Sequence, residues 1–362
     1  MADSPILAEE AELYRIAKAI HSEIYSIDSH CDTPMYFRYG IDIGKTNPAW
    51  ILNPKDLGAE TENEPVRYNL KVDIPQMQAG WLDAVFMVAY LKQGARDDSS
   101  LRQTVEKTGS IIREIIAQVE KNRTVAGIAR SSGDLKQLKA EGRKAIFIGI
   151  ENGYGIGKDI RNIRKFAGLG VRYITLSHNG DNDLCDAAVD SFSEHNGLSA
   201  FGEKVVREMN RLGVMVDISH TSEKTSFDAV ALSTCPVIAS HSSVKALCNH
   251  PRNISDQLMQ AIAAKGGVIQ ICIYPQFLRE DGNATVTDVV NHIDYVTQTV
   301  GIDHVGIGSD FDGGGGIQGV NAANELPQIT LELLRRNYSK DAIAKIWGGN
   351  LMRVMDAVQK QQ

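Results

Sequence analysis

Six short apolar runs in this chain stop on or beside a side chain able to bind a metal ion. Ile27-Asp28-Ser29 precedes His30 and Asp32, and Ala145-Ile146-Phe147-Ile148-Gly149-Ile150 ends at Glu151. Tyr173-Ile174-Thr175-Leu176 approaches His178, and Val214-Met215-Val216-Asp217-Ile218 approaches His220. Val237-Ile238-Ala239 leads to His241 and Val305-Gly306-Ile307-Gly308 to Asp310. Imidazoles and carboxylates are the ligands of Zn²⁺ and similar ions. Side chains alternate along a strand, so His30 and Asp32 are expected on one side and Cys31 on the other. A carboxylate after an apolar run is costly unless paired, hydrogen-bonded or metal-bound, and the two oxygens of Glu151 can bridge two cations. His220 and His241 close successive runs, which suits a second metal. Asp310 reads as a metal ligand and proton carrier or as a turn residue, with Asp312 the better turn residue. The competing structural readings are a rim Glu paired with an Arg and capping loops that contain His.

The elements that must position these residues alternate. Eight strands are expected, starting near Ile27, Ala84, Ala145, Tyr173, Val214, Val237, Val268 and Val305. Helices are expected between them over about 99–122 (with Ser99 or Ser100 as N-cap), 160–167, 199–212, 222–232, 254–265 and 286–300. Alternation implies a parallel sheet covered on both faces, and eight units imply a (β/α)₈ TIM-type barrel, whose active sites lie at the C-terminal strand ends. A single domain over 1–362 is expected. It has an N-terminal helix within 1–25, a long insertion over 40–80 near the active-site mouth, and C-terminal helices over 326–360.

Bulk properties exclude several classes. The net charge of −7 argues against nucleic acid as a partner, and no apolar stretch reaches the roughly 20 residues that span a bilayer. No basic segment followed by an apolar core opens the chain, so a cytoplasmic location is expected, or a periplasmic or secreted one had a leader been removed. The five cysteines lack CxxC spacing and read as small buried thiols. His21, His195, His250, His292 and His304 sit in helical or polar contexts and read as surface residues. The glycines at 313–316 and 153–157 match neither phosphate-loop nor dinucleotide patterns.

His30-x-Asp32, Glu151, His178-Asn179, Ile218-Ser219-His220, Ser240-His241-Ser242-Ser243, His250-Pro251-Arg252-Asn253 and Gly308-Ser309-Asp310-Phe311-Asp312-Gly313 occur in one order from about Ile27 to Arg353. As an ordered set they resemble the membrane (renal) dipeptidase family of zinc metallopeptidases. The lipid-anchor tail and paired cysteines of its vertebrate members are missing, which points to the bacterial branch. The resemblance implies an amidohydrolase-type barrel, two Zn²⁺ per chain, dipeptide substrates and a homodimer. By position, His30, Asp32 and Asp310 would hold one zinc, His220 and His241 the other, and Glu151 would bridge them. His178 would polarise the substrate rather than bind metal, and Arg252 would bind the substrate's free carboxylate with Tyr274 assisting. The implied reaction is peptide-bond hydrolysis by a metal-bridging hydroxide, with Asp310 carrying the proton. The alternatives are another binuclear amidohydrolase, acting on lactones, cyclic amides or phosphotriesters, and a non-catalytic metal-binding barrel. Glu151 in place of a carboxylated Lys, and Arg252, argue against the former.

Overall fold

Runs rich in Ile, Val and Phe fit the pleated, buried surface of a strand. In a computed structural model that describes residues 5–52 and 65–360, eight of them form the barrel wall. Residues 1–4 of the expected first helix, 53–64 of the expected insertion and 361–362 lie outside the described residues. Numbering the wall strands alone, they are β1 (Ile27–Cys31), β2 (Ala84–Tyr90), β3 (Lys144–Glu151), β4 (Val171–Thr175), β5 (Met215–Asp217), β6 (Ile238–Ser242), β7 (Val268–Cys272) and β8 (Val305–Gly308). Each pairs in parallel with the next. The last returns to the first, where the Asp310 N–H donates to the His30 carbonyl at 3.1 Å and the Asp32 N–H to the Phe311 carbonyl at 2.8 Å. The sheet is thus nearly closed into a barrel of parallel strands alternating with helices.

Period-two alternation divides the wall. On β3, Ile146, Ile148 and Ile150 pack in the large core that includes helix residues such as Ile112 and Phe166, while Phe147 packs with Phe86 and Tyr173 in a second cluster. The Phe86 and Phe147 rings stack at 4.7 Å between centroids, and Phe86 lies 5.0 Å from Tyr173. Gly149 makes room for this: a Cβ there would meet the Tyr173 ring at 2.6 Å.

Several sequence expectations change. The helix Asp98–Lys121 is capped by Asp97, whose carboxylate accepts from the Ser99 and Ser100 N–H groups, not by either serine. A strand at Ala126–Ile128, paired with β3, and a helix at Ser132–Ala140 escape the pattern because they are too short to show a period. The C-terminal helices expected over 326–360 include a π-turn, Lys345–Gly349. There Gly348 approaches the Tyr25 carbonyl so closely that a Cβ would stand 2.3 Å from it. His21 and His292 are buried rather than exposed. His21 Nε2 bonds Thr330 Oγ1 at 2.8 Å, and His292 accepts from the Val244 N–H at 3.0 Å. All five cysteines are buried and free. Inside the expected insertion, Trp50–Leu52 and Val66–Tyr68 pair antiparallel, and a short helix spans Ile74–Ala79.

Candidate metal centre

The C-terminal strand ends deliver the expected residues to one place by different routes. His30 lies within β1, His241 within β6, and Glu151 is the last residue of β3. Asp32 follows β1 as the cap of a 3₁₀ turn, with φ −98° and ψ 16°, and the register shifts between Asp28 and Cys31. His30 and Asp32 therefore do not meet by simple strand alternation, yet His30 Nε2 and Asp32 Oδ2 are 3.5 Å apart. His178, His220 and Asp310 sit in loops just past β4, β5 and β8. His220 and Asp310 are left-handed, at φ 67° and 59°, a conformation that persists only where the surroundings over-determine it. The His220 carbonyl accepts from the Ala188 N–H at 2.7 Å, and the Asp310 N–H is fixed on β1.

Glu151 is central. Its Oε1 lies 3.0 Å from His220 Nε2 and 3.5 Å from His241 Nε2, and its Oε2 lies 3.5 Å from His30 Nε2. The ligand atoms of His30, Asp32 and Glu151 lie within 4.8 Å of one another, as do those of His30, His241 and Asp310. His178 closes a third such group with Glu151 and His220, its Nε2 3.8 Å from Glu151 Oε1.

The hydrogen bonds behind the rings decide whether these residues suit a cation. The Tyr173 hydroxyl donates to the Ser29 carbonyl at 3.1 Å, so it accepts from His30 Nδ1 at 2.7 Å. Asn179 Oδ1 accepts from His220 Nδ1 at 2.9 Å, and Ser240 Oγ from His241 Nδ1 at 2.8 Å. Each ring proton is thereby assigned to Nδ1, leaving a lone pair on Nε2. The Nε2 atoms of His220 and His241 then face each other at 2.8 Å with no proton between them. His30 Nε2 and Asp32 Oδ1 are buried without a hydrogen-bond partner among the described residues. Converging lone pairs and an unpartnered buried carboxylate oxygen are what a bound cation satisfies. The residues fit a metal centre.

Titration follows the crowding. Burial drives the Asp32 carboxyl well above its ordinary value, with the Glu151 charge adding to it. Burial also lifts Asp310 to about 6, against the pull of His30. For His30, burial is outweighed by Glu151 and Asp32, which push the imidazole well upward, so that without a cation Nε2 also takes up a proton and the lone pair is the form a metal would bind. Burial keeps His220 and His241 well below the ordinary imidazole value and lowers His178 to about 4. His178 is therefore neutral at pH 7.

A cavity of about 920 Å³ opens over this cluster. Arg252 lines it, buried, with Nη2 on the His241 carbonyl at 3.0 Å and its Nε unpartnered. Among the described residues no carboxylate is within ion-pair distance of that guanidinium. Tyr274 lines the same wall, its ring 4.6 Å from Phe277. His250, expected at the surface, lines the cavity too and accepts from the Arg252 N–H at 3.1 Å; its place in His250-Pro251-Arg252 was the signal. Sequence reasoning also missed Tyr90, whose ring stands edge-on to His178 at 4.8 Å. It missed the tie between Asp312 and the hairpin as well: Tyr68 OH and the Lys71 N–H both donate to Asp312 Oδ1 at 2.9 Å. Gly313 must lack a side chain, because a Cβ would stand 2.0 Å from Asp32 Oδ2.

Comparison with known proteins finds dipeptidases among the similar sequences and structures. A sequence profile for membrane dipeptidase (Peptidase family M19) matches residues 14–362. Dipeptidase verJ of Clonostachys rogersoniana is 34% identical, over 98% of this chain and 90% of that protein. Dipeptidase ataJ of Aspergillus terreus is 35% identical, over 92% of this chain and 84% of its own length. The crystal structure of the probable dipeptidase PvdM from Pseudomonas aeruginosa superposes with a TM-score of 0.86 at 28% identity, covering 97% of this chain and 100% of that one.

Proposed function

This chain belongs to the membrane dipeptidase family, Peptidase family M19, and is a metallo-dipeptidase; from that premise we propose that it cleaves dipeptides with two zinc ions, recognising the free C-terminal carboxylate through Arg252. The observation that carries the reading is Glu151, whose two oxygens face different imidazoles, Oε2 toward His30 and Oε1 toward His220 and His241. His30, Asp32 and Asp310 would hold one zinc, His220 and His241 the other, with Glu151 shared. Bound zinc supplies Lewis acidity and brings the pKa of its water to about 7.

The protein's own groups do the rest. Neutral His178, placed between Tyr90 and His220, donates to the scissile carbonyl oxygen as negative charge develops there. Stabilising that oxyanion usually lowers the barrier to acyl transfer more than any other interaction. Asp310, at the mouth of the same cavity, takes a proton from the attacking water and returns it to the leaving amine. Arg252 offers its fork to the second residue's carboxylate. A longer peptide has no carboxylate at that position, so the clamp selects dipeptides.

A panel of L,L and L,D dipeptides, free and C-terminally amidated, assayed after zinc reconstitution tests this. Free dipeptides should be turned over, and amidation or Arg252→Ala should each lower kcat/KM by about 100-fold or more, the scale of an unpaired buried charge. Equal turnover of free and amidated substrates would remove the clamp.

A further inference from the structure

Behind His241, away from the cavity, lies a carboxylate with no part in the chemistry above. Asp217, the last residue of β5, is fully buried. Its Oδ1 accepts from the backbone N–H groups of Ser240 at 2.8 Å and Ser219 at 3.1 Å. Its Oδ2 accepts from Thr175 Oγ1 at 2.5 Å and Ser240 Oγ at 2.6 Å. Four donors converge on one side chain, which only an acceptor-only group can satisfy; an amide would turn two of its own donors onto them.

This arrangement fixes the Ser240 proton. A hydroxyl has a single hydrogen, and the 2.6 Å contact to a carboxylate outcompetes the 3.4 Å contact to Ser219 Oγ. With its proton committed to Asp217, Ser240 presents only a lone pair to His241 Nδ1, 2.8 Å away. His241 must then carry its proton on Nδ1 and present Nε2 bare to the centre. The relay runs from β5 through β6 with every member buried, so water cannot reset it.

We infer that Asp217 and Ser240 are positioning residues that lock the tautomer of His241 and thereby set the affinity of one of the two zinc positions. The inference rests on the two-zinc reading above. Partners behind a ligating imidazole are worth about 10- to 100-fold in metal affinity.

The test uses the full chain, zinc-loaded, in competition with a chelator. Ser240→Ala should release one of two zinc ions about 10- to 100-fold more readily, and Ser240→Thr, which keeps the hydroxyl, should restore it. In ¹⁵N spectra of the metal-free protein, Ser240→Ala should shift His241 toward the Nε2–H form, and Ser240→Thr should not. Unchanged zinc release and an unchanged His241 spectrum in Ser240→Ala would overturn the relay. So would equal weakening by Ala and Thr with a common fall in Tm, which reports packing alone. Wild-type protein that binds no zinc would overturn the two-zinc reading and the relay together. Wild-type binding of two ions with an unmoved Ser240→Ala overturns the relay alone.

Discussion

At the scale of single residues, the site is a set of buried groups whose unused atoms face one another. His178 differs from the other imidazoles. His30, His220 and His241 each have Nδ1 held by an oxygen within 2.9 Å, whereas His178 contacts Tyr90 and His220 through its ring faces and edges. A ligating imidazole is almost always anchored through its second nitrogen, so the lack of such an anchor among the described residues favours substrate polarisation over metal binding. His178→Ala should lower kcat by about 100- to 1,000-fold while zinc content stays at the wild-type value by elemental analysis. Loss of a zinc ion would reassign His178 as a ligand. The left-handed His220 and Asp310 belong to this scale as well, because no feature of sequence spacing marks φ above zero at a non-glycine residue.

At the scale of elements, strands aim the candidate ligands and neighbouring segments secure them. The Val66–Tyr68 strand reaches across to the glycine-rich turn after β8, where Tyr68 grips Asp312 two residues from Asp310. The helix Val286–Val300 is tied to the loop after β6 by His292, whose Nδ1 accepts from the Val244 N–H while Nε2 donates to the Leu278 carbonyl at 3.1 Å. Burial lowers His292 to about 4, and His21, beneath the helix Pro327–Arg335, to about 4 for the same reason. An unfolded chain protonates these imidazoles near their ordinary 6.5, so their contribution to stability is complete above pH 6.5 and is lost as pH falls toward 4. Each is worth about 2–3 kcal/mol over that window. Denaturant unfolding at pH 7 and pH 4.5 should show His292→Gln losing less stability between the two than wild type, by about that amount.

The strand into Glu151 was legible in the sequence because Ala145 to Ile150 is unbroken apolar sequence, and the shorter one into Asp310 because Val305 and Ile307 alternate ahead of a glycine-rich turn. The Asp97 cap and the short pair Ala126–Ile128 and Ser132–Ala140 were not, since four consecutive cap residues, Asp97 to Ser100, compete, and a three-residue strand and about two and a half helical turns carry no decisive period.

At the scale of the whole molecule, barrel closure crowds Asp32, Glu151 and Asp310 into one buried cluster, with Arg252 and Lys71 the Arg and Lys side chains lining the same cavity among the described residues. Stability should therefore depend on the cations. Stripping the protein with a chelator should lower Tm by several degrees, and zinc added at about 1,000 times its dissociation constant should restore about 4 kcal/mol per site. An unchanged Tm on stripping would mean that the cluster holds no metal in solution. By itself, the sequence determined the types of the candidate ligands, their order and the eight strand runs that deliver them, because side-chain chemistry and local periodicity are written residue by residue. Tertiary structure alone decided which nitrogen each imidazole presents, that Asp217 and Tyr173 stand behind the ligands, and that Asp312 binds the hairpin. Those contacts join residues such as His30 and Tyr173, or Tyr68 and Asp312, far apart in the chain. They exist only once the last strand has returned to the first.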